Sequence, residues 1–256
     1  MVTFYMERTN GQLLYDFCFH LEESVRFDKW LRAGESSYEI VYSDISSPMK
    51  QMIPIGSLPF VFSFMKEHFG IDADSIVPIY IPNSLQTSAF LGRSLSLKKL
   101  DSLQDAKFQG FIKSADYYKG ATGRFQELQH LLSPDEIYWA SDWLDLTSEW
   151  RGFVFEGALL DVRSYSGSVM DSIPDIKKME EMIDTYIDSP SAYTLDVGIT
   201  TNGETVILEI HPFVSCGLYG FNQSNRLLPM VVRGYYHLLQ EAQKIQKQTH
   251  KKDTFQ

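Results

Sequence analysis

The sequence predicts a mixed protein, part α/β and part α+β, with an N-terminal α/β subdomain leading into a second α+β region. Three observations predict it. Strand-like and helix-like segments alternate over the first hundred residues, the pattern of a partly parallel sheet. Further along, two hairpin signals, Glu156-Gly157 and Asn202-Gly203, each sit between apolar runs. A length of 256 residues accommodates one large domain or two small ones.

Each element has a local reason. "SYEIVYSD" (37–44) reads as a strand, and "PFVFSFMKEHFG" (59–70) as a helix stopped by Gly70. "SIVPIYIP" (75–82) is an edge or loop segment, because proline cannot donate to a ladder. The polar, charged stretch at 94–107 reads as a boundary, which divides the chain into an N-terminal region 1–100, a second region 101–246 and a polar tail 247–256 expected to fray. In the second region, 108–113 is a strand followed by a glycine-containing loop, and 135–146 is a strand and connector. The hairpin at Glu156-Gly157 follows. A helix at 174–189 places Ile176, Met179, Ile183 and Tyr186 on one face. The second hairpin runs from Tyr193 to Phe213, and an amphipathic helix over 226–245 closes the region, with Pro229 near its start. No repeat of solenoid or propeller length is present.

Composition excludes several classes. Hydrophobic content of 44% with 22% charged residues belongs to an ordinary globular protein. A net charge of −10 repels phosphate backbones and argues against general nucleic-acid binding. Two cysteines, Cys18 and Cys216, make neither a disulfide framework nor a metal spacing. No basic-then-apolar leader opens the chain, and its densest apolar patch, 58–65, is too short to span a bilayer. A cytoplasmic protein without membrane partners is expected.

The second hairpin carries the sharpest chemical signal. If Asn202-Gly203 is a two-residue turn, Thr201 pairs with Glu204, and Asp196 comes opposite Glu209, with Thr194 opposite His211. Opposed residues have Cβ atoms roughly 4.5–5.5 Å apart, where like charges destabilise. A hard divalent cation reverses that sign, a shared proton relieves it, and a solvated outer face avoids it. His211 shares a face with Glu209 and is either a ligand or orienting group, or a structural histidine.

Lys113 ends a strand, and Lys119 lies beside Gly120 and Gly123 in a loop able to cradle phosphate. Arg151 stands among Trp150, Phe153 and Phe155, so it needs an anion or a rim position. A two-residue turn puts Arg151 and Arg163 on opposite faces, and a three-residue turn pairs them; the sequence leaves both open. Asp142 in "WASDW" is placed to accept from a ribose or a base amine, or is a plain connector acid.

In order, "FIKSAD", "YWASDWLDL", "SEWRGFVFEGALLDVRSY" and "YTLDVGITTNGETVILEIHPF" resemble the ATP-grasp superfamily, in particular a clade of small bacterial and phage ATP-grasp proteins. "IPIGSLPFVF" is similar to a segment near the start of those proteins. The resemblance implies an ATP-grasp fold and an ATP- and Mg²⁺-dependent carboxylate–amine or carboxylate–thiol ligase acting through an acyl-phosphate. It implies carboxylate and amine substrates, peptide or protein among them. It assigns Lys113 and, with less support, Lys119 to the phosphates, Asp142 to the adenine hinge or ribose, Arg151 and Arg163 to the transferring group or other anions, and Asp196 and Glu209 to Mg²⁺. The superfamily usually has Asn where this chain has His211. That departure leaves room for Mn²⁺ and for a nucleotide-binding regulatory module of weak catalysis. A phosphotransferase and a partner-binding protein without ATP are the other rivals. On this reading Asp196→Asn and Glu209→Gln both fold and lose Mg-nucleotide affinity.

Overall fold

The computed structural model describes residues 1–168 and 172–253, with side chains described through residue 248. The chain forms two compact units. One comprises Met1–Ser75, Pro190–Tyr193 and the chain from Pro212; the other comprises Ile76–Ser189 and Thr194–His211.

The first unit opens with strand β1 (Val2–Met6), helix α1 (Asp16–Leu31), β2 (Tyr38–Tyr42), β3 (Ile53–Ile55) and α2 (Leu58–Phe69). β1 pairs parallel with both β2 and β3, in the order β2-β1-β3. The expected parallel sheet is present, though sequence reasoning had not singled out β1 or α1. Helix α1 hides its signal by leaving Phe19, Phe27, Trp30 and Leu31 exposed, so its apolar residues do not make one clean stripe. Helix α2 is well punctuated. The Ser57 hydroxyl accepts from the Phe60 N–H, and Gly70 ends the helix at a left-handed φ of 65°.

Cys18 is buried in α1, and burial together with Glu7 and Asp16 pushes its thiol up to about 12. Thiolate is the reactive form, so this pKa leaves roughly a thousandfold less of it at pH 8 than an ordinary cysteine. Iodoacetamide is therefore expected to spare Cys18 in the native protein and to label it in guanidinium, as mass spectrometry of the Cys18 peptide would read.

The second unit begins with a short helix, α3 (Ser88–Leu91), then β4 (Leu95–Lys99), α4 (Leu100–Asp105), β5 (Phe111–Ser114), β6 (Thr122–Arg124), α5 (Phe125–Leu128) and β7 (Ile137–Ser141). The polar stretch at 94–107, expected as a boundary, lies inside this unit. It forms β4 and α4, and Leu100 and Leu103 anchor a core with Ile112, Phe125 and Tyr138. Ser96 through Lys99 are exposed, as befits an edge strand whose one neighbour is β7. The sheet order is β4-β7-β5-β6, antiparallel throughout.

A second sheet, ordered β11-β10-β8-β9, follows from β8 (Leu146–Phe155), β9 (Ala158–Gly167), α6 (Ile176–Thr185), β10 (Ala192–Thr200) and β11 (Thr205–Pro212). Glu156 and Gly157 have φ of 51° and 78°, the signature of a tight two-residue primed turn. Phe155 accordingly faces Ala158. A bulge then shifts the ladder between Phe153 and Val154, and Arg151 ends directly opposite Arg163. The turn length alone would have separated them; the bulge reverses that outcome.

The closing helix α7 (Ser224–Asp253) packs on α1 and belongs to the first unit. It carries Pro229 within it and continues through most of the segment expected to fray. Within that segment residues 254–256 lie outside the described part. Among the described residues no helix is long and apolar enough to cross a membrane.

Candidate functional site

All the residues of the site belong to the second unit. Asp196 on β10 and Glu209 and His211 on β11 offer ligand atoms that lie within 4.8 Å of one another. The strand period of two puts Glu209 and His211 on one face. The turn between the strands departs from expectation. The Gly203 N–H donates to the Thr200 carbonyl at 2.8 Å, and the Thr200 N–H donates to the Glu204 carbonyl at 2.9 Å. The loop is therefore three residues, with Gly203 at φ 83°. Thr200, not Thr201, faces Glu204. Such a one-residue shift would turn Glu209 away from Asp196. The ligand atoms of Asp196 and Glu209 nevertheless lie within 4.8 Å of each other, and Leu208 and Glu209, consecutive residues, both line one cavity.

Neither carboxylate stands without a cation. The buried Arg151 guanidinium forks onto Asp196, Nε to Oδ1 at 2.8 Å and Nη2 to Oδ2 at 2.7 Å. β8 adjoins β10 in the sheet, which makes this bidentate geometry reachable. The Lys113 ammonium, from β5, pairs with Glu209 Oε2, and His211 Nε2 lies 2.6 Å from Glu209 Oε1. Burial pushes Lys113 down to about 8; Arg151 adds to that, and Asp196 opposes it. Burial also pushes His211 down to about 4, so its imidazole is neutral near pH 7. The carboxylate can only accept, so Nε2 carries the proton and Nδ1 keeps a lone pair.

A cavity of about 530 Å³ opens beside Lys113 and Glu209, within the range of a small-molecule site. Asp142, Trp143 and Tyr165 also line it. The Ser94 N–H and hydroxyl donate to Asp142 at 2.9 and 2.6 Å and hold its carboxyl below the usual range. The Arg124 guanidinium covers the Trp143 ring at 3.6 Å. The Tyr165 hydroxyl donates to Glu149 at 3.0 Å.

The structure thus brings together Lys113, Arg151, Asp196, Glu209 and His211, with Asp142 on the cavity wall. It does not bring in Lys119 or Arg163. Lys119 is exposed in the loop after β5, with a left-handed φ of 57°, and does not line the cavity. Arg163 is held by Asp161 of its own strand at 2.7 Å and does not line it either. Arg93, Arg124, Trp143, Glu149 and Tyr165 line the cavity without having been assigned to the nucleotide or metal. Trp143 was within reach of sequence reasoning as the neighbour of Asp142. Glu149 and Tyr165 meet because a second register shift, at Glu149/Trp150, brings them together, and that shift leaves no local signature.

The described residues thus set a lysine of one sheet and a carboxylate–imidazole cluster of a second beside one cavity. The chain belongs to an ATP-grasp domain family, the second family of its clade, whose model matches residues 90–227. No curated protein matches the sequence. Similar solved structures include D-cycloserine synthetase DcsG, at 10% identity and a TM-score of 0.52, covering 92% of this chain and 99% of that one. A RimK domain ATP-grasp protein from Sphaerobacter thermophilus is 10% identical with a TM-score of 0.52, covering 93% and 99%. N5-carboxyaminoimidazole synthetase from Staphylococcus aureus is 11% identical with a TM-score of 0.50, covering 82% and 70%. These likenesses are of fold.

Proposed function

We propose that the protein is an ATP- and Mg²⁺-dependent ligase that joins a carboxylate to an amine or thiol through an acyl-phosphate. The observation that carries the reading is the convergence of Asp196, Glu209 and His211 with Lys113, of which Lys113 and Glu209 line a cavity of about 530 Å³. Two carboxylates suit a hard cation that also takes phosphate oxygens, and a neutral imidazole widens the set toward Mn²⁺. When bound there, the ion supplies charge neutralisation for the phosphates.

The chain's own residues do the rest. Lys113 reaches the phosphates from the cavity wall. Asp142 and the Trp143–Arg124 stack flank the ribose and base. Arg151 is positioned by Asp196 to meet charge that develops on the transferring group. A substrate carboxylate oxygen attacks the γ-phosphorus, the bond to ADP breaks, and an acyl-phosphate forms. The amine nitrogen then attacks the acyl carbon, phosphate leaves, and the amine gives up a proton. No nucleophilic side chain is required. A cytoplasmic setting and carboxylate and amine substrates, peptide or protein among them, complete the reading.

The histidine at position 211 favours one second reading, a nucleotide-binding module of weak catalysis. Calorimetric titration with ADP, in Mg²⁺ and then in EDTA, tests the common core of both. Metal-dependent binding is expected; no binding in Mg²⁺ or in EDTA would leave the acidic face as a surface for a partner. ADP and phosphate release with mixed amine acceptors then separates ligase from module.

A further inference from the structure

The carboxylates that would hold the ion are already neutralised by side chains. Asp196 is gripped at both oxygens by Arg151, and Glu209 is paired with Lys113 and hydrogen-bonded to His211. Two negative charges face two positive ones. A free divalent ion approaching this cluster must displace both cations from their carboxylates, and it adds two more charges to a poorly solvated place. A nucleotide changes the balance. Its phosphates offer anionic oxygens to Lys113 and Arg151, and Lys113 already lines the cavity from which they would arrive.

We propose that Lys113 and Arg151 mask the metal-binding carboxylates, so that the site takes a divalent ion only together with nucleotide, as a metal–nucleoside phosphate complex, and not as the free ion. The inference rests on the metal–nucleotide reading above. It makes Lys113 an internal stand-in for the metal and a phosphate ligand in turn. Removing its charge weakens nucleotide binding and strengthens binding of the bare ion, two opposite effects from one substitution. A lysine that only supported the fold would not produce this pair of effects.

The test uses Mn²⁺ as the probe, with the free ion read by electron paramagnetic resonance, on the full chain with and without ADP. The wild type is expected to take up Mn²⁺ only when ADP is present. Lys113→Met is expected to bind Mn²⁺ alone about tenfold tighter than wild type or more, the order expected from lifting one nearby like charge. Adding Glu209→Gln to that variant should abolish the gain, and Lys113→Arg, which keeps the charge, should show none. Lys113→Gln serves if the methionine variant does not fold. Wild type that binds Mn²⁺ equally well with and without ADP, or a folded charge-removing variant without the gain, overturns the proposal. Wild type that takes no Mn²⁺ with ADP sinks the nucleotide reading instead, and the gain in Lys113→Met would still uphold the masking.

Discussion

Glu209→Gln is expected to fold like the parent and to lose ADP·Mg²⁺ affinity by about a hundredfold, the order that follows removal of a metal ligand's charge. Its side chain is 23% exposed, so the amide finds water where the carboxylate's charge is lost. Lys113 and His211 keep partial partners in the amide oxygen. Stability should change by less than about 1 kcal/mol, in line with a partly exposed ion pair. Calorimetric titration alongside a thermal melt reads both quantities. Unchanged affinity in a folded variant would remove Glu209 from the site.

Asp196→Asn is expected to behave differently, and this corrects the expectation that both substitutions spare the fold. Asp196 is 1% exposed and fully engaged by a guanidinium that is itself 8% exposed. Neutralising the carboxylate takes away the countercharge of a buried cation, which costs about 3–5 kcal/mol. Urea denaturation should show that loss. The double variant Arg151→Met/Asp196→Leu should recover most of it, because a buried ion pair replaced by apolar groups of similar volume is close to neutral. If Asp196→Asn alone keeps the parent's stability, Arg151 does not depend on Asp196 for its countercharge.

The two substitutions change one carboxylate each on neighbouring strands, and the sequence offers no way to tell them apart. Alternation flagged Asp196 and Glu209 as partners across a hairpin, and the structure does bring them together. Alternation cannot report which of the two has its back to Arg151. That depends on β8 lying beside β10, a pairing between residues some 45 positions apart. The hairpin of β8 and β9 teaches the same lesson. Glu156-Gly157 marked a hairpin whose turn length the sequence left open; the turn is of two residues, and the facing of Arg151 and Arg163 is decided beyond it by a bulge.

The assignments of Lys119 and Arg163 show where a resemblance outruns geometry. Both are cations at suggestive places in the chain. One is exposed in its loop, and the other is engaged by Asp161, so neither reaches the cavity. The polar stretch at 94–107, expected as a boundary, forms β4 and α4. A strand paired on one edge and solvated on its faces has the polar composition of a boundary until its partner, β7, is known.

By itself the sequence determined the mixed fold class, the two hairpins, the capped helix α2, and a short set of residues, Lys113, Arg151, Asp196, Glu209 and His211, that the structure gathers at one place. The fold class, the hairpins and the helix follow from period, turn chemistry and residue type, which act over a few neighbouring residues; it was the resemblance carried by the ordered motifs that joined Lys113 and Arg151 to the hairpin's carboxylates. Only the tertiary structure decided the strand registers, the cation that each carboxylate holds, and the cavity walls contributed by Arg93, Arg124 and Tyr165. Those depend on bulges and on contacts between distant segments. Their energies are set by which charge is buried against which, and no local run of residues records that.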